Sequence, residues 1–194
     1  MEARKFNTLM PYYNHRWAAE VLGMKLNQEE GPDLIDDHKF VELKFALTNP
    51  KEHKEVKSKN YSRSWTVLGL QTDYITRQKR YWGLALYELS KPVKSIDIFD
   101  MKDLENLVLS RELFIVEWAW IHQFPAHHTN GKTKISKWDE ILIYPKHNKL
   151  PEIIKTYGVK KGIVHITNGV NLENFKLGKP KSKKEKQGLA KVPF

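Results

Sequence analysis

The stretch from Gly31 to Phe45 restricts what this chain can fold into more than any other. It reads Gly-Pro-Asp-Leu-Ile-Asp-Asp-His-Lys-Phe-Val-Glu-Leu-Lys-Phe. Gly-Pro breaks whatever precedes it, and Asp36-Asp37-His38-Lys39 is a polar turn between two short extended runs. The first run is Asp33 to Ile35. The second, Phe40 to Ala46, alternates: Phe40, Glu42, Lys44 and Ala46 share one face of a strand, and Val41, Leu43 and Phe45 share the other. A carboxylate and an ammonium therefore stand side by side, with Asp33 in reach across the hairpin. Two carboxylates and a lysine converging on a strand pair are, in outline, a site for a metal ion and a phosphate.

The sequence on either side sets this hairpin among alternating elements. Residues 7–24 read as a helix: Asn7 or Thr8 can cap it, Pro11 suits an early helical position, and Tyr13, Trp17, Val21 and Met24 recur at helical spacing. Glu20 lies within it. Residues 64–80 read as a second helix, with Ser64 as cap and Gln71 and Gln78 along it. Tyr81 to Leu89 is apolar enough for a strand buried on both faces. A short strand at 96–99, a helix at 102–110 and a strand at 113–123 follow. Further on come a strand at 138–144, a helix at 150–157 stopped by Gly158, and a strand at 162–167. This order predicts one α/β or α+β domain around a mixed sheet over residues 1–175. Residues 176–194 read as a flexible basic tail.

Pro32-Asp33 and Glu42-Leu43-Lys44 resemble the motif of the PD-(D/E)xK nuclease superfamily, with eight residues between Asp33 and Glu42. The resemblance covers about residues 10–90. It implies a restriction-endonuclease-like mixed central sheet, an α-β-β-β-α-β core flanked by helices, with an elaborated C-terminal half. It also implies metal-dependent hydrolysis of phosphodiester bonds. Asp33, Glu42 and the Leu43 carbonyl would hold Mg²⁺, with Mn²⁺ as a substitute, and Lys44 would sit beside the attacking water. Glu20, on the preceding helix, matches a glutamate of many members and would support a second metal. Gln71 is the nearest match to a glutamine on the helix that follows, with Gln78 competing. Glu42 and Lys44 also read as a plain ion pair on a strand, and Asp33 as a turn residue. Asp36 and Asp37 read as turn-shaping residues.

Charge points to a polyanionic partner. Residues 1–145 carry 21 Lys+Arg and 20 Asp+Glu, whereas residues 146–194 carry 12 Lys and 3 Glu. The surplus at the far end suits a phosphate backbone. The absence of cysteine excludes disulfides, thiolate zinc sites and cysteine nucleophiles. No apolar run is long enough to span a bilayer, and the first residues lack a signal-peptide core, so an intracellular protein without a membrane is expected. No glycine-rich phosphate loop indicates ATP. His122 reads as half-buried on its strand, His127 and His128 as loop residues, and the six Trp chiefly as core. Gln187 and Phe194 faintly resemble a sliding-clamp-binding peptide, from which Ala190 and Pro193 depart. The leading expectation is a DNA endonuclease, site-specific or junction-resolving, acting as a homodimer. The alternatives are a non-catalytic nucleic-acid-binding protein and an RNA-processing enzyme.

Overall fold

A stripe of Trp17, Ala18 and Leu22 gives the first helix one apolar face, and that face needs a sheet to cover. In the computed structural model, which describes residues 2–48, 64–68, 78–91, 101–125, 140–145, 148–175 and 177 (with the side chains of 2–8 and 101 excepted), helix α1 spans Glu2–Leu22. It starts earlier than its cap signals suggest and carries Pro11 in its interior rather than its first turn. Gly23 (φ 63°) ends it in the left-handed region that glycine tolerates best.

The strands that follow are β1 (Lys25–Leu26), β2 (Leu34–Ile35), β3 (Lys39–Leu47), β4 (Trp65–Leu68) and β5 (Lys79–Leu89). A short helix α2 (Met101–Leu107) leads into β6 (Val108–Glu117), then β7 (Glu140–Ile143), β8 (Ile153–Val159) and β9 (Gly162–Thr167). Seven strands form one mixed sheet in the order β1-β2-β3-β5-β6-β9-β8. β3 and β5 run parallel, with Glu42 beside Trp82 and Lys44 beside Leu84. β6 runs antiparallel to β5 and parallel to β9. The α/β class with a mixed sheet stands, and the sheet extends to residue 167, far beyond the first half of the chain.

The two faces of the sheet are covered differently. On one, Trp17, Ala18 and Leu22 of α1 join Val41, Leu43, Ala85, Leu113, Ile115, Val164 and Ile166. On the other, β4 and β7 pair as a separate antiparallel ribbon. Its Trp65, Val67, Ile141 and Ile143 pack on Phe40, Ala46, Trp82, Leu84 and Phe114. A third cluster, around Met10, Tyr87, Leu104 and Leu107, closes one end of the sheet. Helix on one face and ribbon on the other is the alternative to helices on both.

Four expectations change. Residues 108–110, expected in the helix at 102–110, already belong to β6. Residues 65–68 are a strand, not the start of a helix at 64–80: Trp65 and Val67 are buried while Thr66 and Leu68 are half-buried, a period of two. The rest of that segment up to residue 77, Gln71 included, lies outside the described residues. Residues 153–159 are strand β8, not a helix. Ile153, Ile154, Thr156 and Val159 are β-branched, and the Lys160–Lys161 turn (Lys161 φ 53°) folds the segment back onto β9. The strand expected over 113–123 is β6 only to Glu117; Trp118–Gln123 form a 3₁₀ turn, so Trp118 and Trp120 are not on one strand face. Trp118 instead stacks on Trp82 at 4.1 Å. The expected strand at 96–99, residues 127 and 128, and the tail from 178 fall outside the described residues. Among those described, no helix is long and apolar enough to cross a membrane.

α1 is tied to the far end of the chain where Trp17 Nε1 donates to the carbonyl of Lys160 at 2.9 Å. Gly162 lies at the same junction. A Cβ there would come within 2.5 Å of the Arg111 carbonyl oxygen and 2.9 Å of the Trp17 ring. Backbone cannot yield as a flexible side-chain tip can. Gly162→Ala is therefore expected to destabilise the fold by about 1–3 kcal/mol, read as a lower urea midpoint.

Candidate active site

The hairpin forms as its sequence predicts. Asp36 builds the turn: its Oδ1 accepts from the backbone N–H of His38 and of Lys39, each at 2.8 Å, and its Oδ2 from Lys39 Nζ. Burial alone would raise the Asp36 carboxyl, but Lys39 and these N–H donors outweigh it and hold the group below its usual value. β2 pairs with β3 only at Phe40 and Val41. Beyond that point β2 no longer supplies partners, and a side chain does: Asp33 Oδ2 accepts from the N–H of Leu43 at 2.7 Å.

That bond brings Asp33 to the stretch of β3 that carries Glu42 and Lys44. Lys44 Nζ donates to Glu42 Oε1 at 2.6 Å. Glu42 is only 2% exposed. Burial raises its carboxyl to about 7; Lys44 pulls the value down and the neighbouring charge of Asp33 pushes it up. A buried carboxyl group held towards its protonated form, a second carboxyl group and a lysine thus occupy one spot on β3, just past β2. Asp33, Glu42 and Lys44 are the three motif residues, and all three meet here. Leu43 joins them through its backbone.

α1 contributes a residue that the sequence reasoning missed. His15 Nδ1 stands 3.8 Å from Asp33 Oδ1, and its ring packs against Phe45 at 5.5 Å between centroids. Burial lowers its pKa, Asp33 offsets part of the effect and Lys44 adds to it, so His15 is neutral at pH 7. Its signal was a polar residue two positions before Trp17, bordering the buried stripe of the helix. Glu20 is exposed and lies five residues on, roughly 140° around the helix from His15. The structure does not bring Glu20 to this cluster. Gln78 donates through Nε2 to the Asp36 carbonyl at 2.6 Å and so braces the turn from outside.

Two hard carboxylates with mutual repulsion, one of them deprived of water, are chemistry that a divalent cation relieves. The donor set fits such an ion through Asp33 and Glu42. Among the described residues, no group of three or more His, Asp or Glu side chains is gathered closely enough to hold a metal by itself. Water or phosphate oxygens would have to complete the coordination.

Beside Lys44 the sheet edge and α1 enclose a hollow of about 160 Å³. Met10, Pro11, Asn14 and His15 line it from the helix, and Leu43, Lys44, Phe45 and Tyr87 from the strands. Comparison with protein-family models, with curated proteins and with solved structures found no match to this chain.

The raised pKa of Glu42 fixes a sign. Its folded-state value lies above the ordinary carboxylate value of 4.5, so the folded chain binds more protons than the unfolded chain between those limits. In metal-free buffer, stability should be highest below pH 4.5 as far as this group is concerned and decline as pH rises towards 7. Glu42→Gln should flatten that decline, a difference of up to about 3 kcal/mol at pH 8, measured by denaturant unfolding at several pH values in chelator.

Proposed function

We propose that this chain is a divalent-metal-dependent endonuclease that hydrolyses phosphodiester bonds in DNA. The observation that carries the reading is the convergence of Asp33, Glu42 and Lys44 on β3 just past its short pairing with β2, through the Asp33–Leu43 and Glu42–Lys44 bonds. The resemblance of those residues to the PD-(D/E)xK pattern agrees with it. Mg²⁺ held by the carboxylates of Asp33 and Glu42, with the Leu43 carbonyl as a further oxygen, would supply Lewis-acid activation of the phosphoryl group and of a water.

The chain's own residues do the rest. A bound cation would give Glu42 a second counter-charge. The Lys44 ammonium would then be a donor to the attacking water or to the charge that develops on the non-bridging phosphate oxygens. Neutral His15, 3.8 Å from Asp33, can accept a proton or orient that carboxylate. The basic surplus of residues 146–194 favours the phosphate backbone and should make binding salt-sensitive. Lys79 and Arg80, exposed at the start of β5, line a groove of about 470 Å³ beside the hairpin turn and are suited to the same strand. A twofold homodimer would set two such centres on opposite strands.

The second reading is a nucleic-acid-binding protein without catalysis. The buried Glu42–Lys44 pair favours it, because a pair in that setting also serves structure alone. Incubation of plasmid and of branched DNA with Mg²⁺ separates the two. The parent should cleave at least one DNA form. Lys44→Ala and Glu42→Ala should each lose about 100-fold or more, whereas Glu20→Ala should cleave as the parent does. No cleavage of any DNA or RNA form, or full cleavage by both site variants, would leave the binding reading in its place.

A further inference from the structure

Behind the Asn14 wall of the hollow between α1 and β3 lies a buried cation. Arg111, on β6, is 2% exposed; among the described residues no carboxylate is within ion-pair distance, while Tyr13 and, at longer range, Glu105 favour its charge against burial. Its guanidinium lies over the rings of Tyr13 (4.5 Å) and Trp17 (5.0 Å), and its Nη2 has no hydrogen-bond partner among the described residues. Its Nε donates to Oδ1 of Asn14 at 3.0 Å. An arginine can only donate, so the oxygen of Asn14 must be the atom that faces it. Asn14 is itself 1% exposed and lines the hollow. With Oδ1 committed to Arg111, the amide has only its Nδ2 donors to offer there.

Lys44 offers the same sign of interaction. An ammonium carries three donors, and Glu42 takes one. His15 also lines the hollow, and an imidazole can donate from a ring nitrogen. The lining holds no aspartate or glutamate. Met10, Pro11, Phe45 and Tyr87 make the rest of the wall apolar or aromatic, which strengthens each charge-assisted bond inside. The space suits a single phosphate group and is too small for a base pair.

We propose that this hollow binds a phosphate monoester, held by Lys44 Nζ and Asn14 Nδ2 in the field of buried Arg111, and that it seats the terminal phosphate of a DNA strand. The choice of a DNA strand rests on the endonuclease reading; the phosphate chemistry does not. The site adjoins Asp33 and Glu42, so a strand anchored there by its end would lead past the carboxylates. Arg111 acts through Asn14 and is a positioning residue. Free inorganic phosphate offers the same oxygens and is the other source of the ligand.

The test uses the full chain in chelator, where no cleavage occurs. Short oligonucleotides with a 5′-phosphate, a 3′-phosphate or two hydroxyl ends are titrated by fluorescence anisotropy, and inorganic phosphate competes. One phosphorylated end should bind about tenfold more tightly than the hydroxyl form, and millimolar phosphate should remove that advantage. Asn14→Asp replaces the donor by a carboxylate that Arg111 can still hold. It should therefore fold with an unchanged or higher melting temperature yet lose the preference. Competition by phosphate with no preference for either oligonucleotide end assigns the hollow to free phosphate and overturns the strand-end assignment. Equal binding of all three ends with no effect of phosphate, or an undiminished preference in folded Asn14→Asp, overturns the proposal. Cleavage of plasmid by the parent is scored separately, so the anion site and the endonuclease reading fail independently.

Discussion

One hydrogen bond carries the geometry of the sheet edge: the Asp33 carboxylate on the N–H of Leu43. β2 is two residues long and leaves β3 after Val41, so the next outward-facing amide would go without a strand partner. A carboxylate fills the gap. The same contact draws Asp33 towards Glu42 and within reach of His15 on α1. Hairpin, helix and buried acid are thus linked through a side chain that replaces a strand residue. A neutral isostere could keep the hydrogen bond, but it would remove the charge that helps raise Glu42.

The cluster is electrically uncomfortable in a useful sense. Burial favours a protonated Glu42, and Asp33 adds to that preference, while Lys44 opposes both. Two conditions relieve the conflict: a proton below neutral pH, or a cation above it. Behind the site the sign reverses, with Arg111 buried among Tyr13, Trp17 and Asn14 and only the longer-range charge of Glu105 to favour it. An acidic spot at the sheet edge therefore stands next to a basic hollow under the helix, a short step along β3 from Glu42 to Lys44 and Phe45.

Local pattern made the hairpin readable. Gly-Pro, a polar turn and strict alternation through Glu42 and Lys44 each depend on neighbours in sequence, and β3, β5 and β9 follow the same logic. Long-range pairing did not announce itself. Trp65–Leu68 reads as helix until Ile141 and Ile143 are opposite it, since a four-residue run fits either period. Residues 150–157 read as a helix because Gly158 looks like its stop, whereas Gly158 lies inside β8, paired with Ile163 of β9. His15 escaped notice because its importance depends on the distance to Asp33, eighteen residues away in sequence, which no spacing rule supplies. Arg111 was equally invisible: its meaning lies in Asn14, 97 residues earlier.

The bond from Trp17 to the Lys160 carbonyl joins residues 143 apart in sequence. It has a consequence for the chain during synthesis. At roughly 5–20 residues per second, the β8–β9 hairpin emerges on the order of 10 s after α1. In that interval the helix has its apolar face but not the strand that pins it, and Asn14 meets Arg111 before Trp17 meets Lys160. Hairpin β2–β3, by contrast, needs only local sequence. The acidic half of the site can therefore form early on the ribosome, while the helix that completes it is secured last. A nascent chain would carry its carboxylates and lysine before it had the architecture to use them.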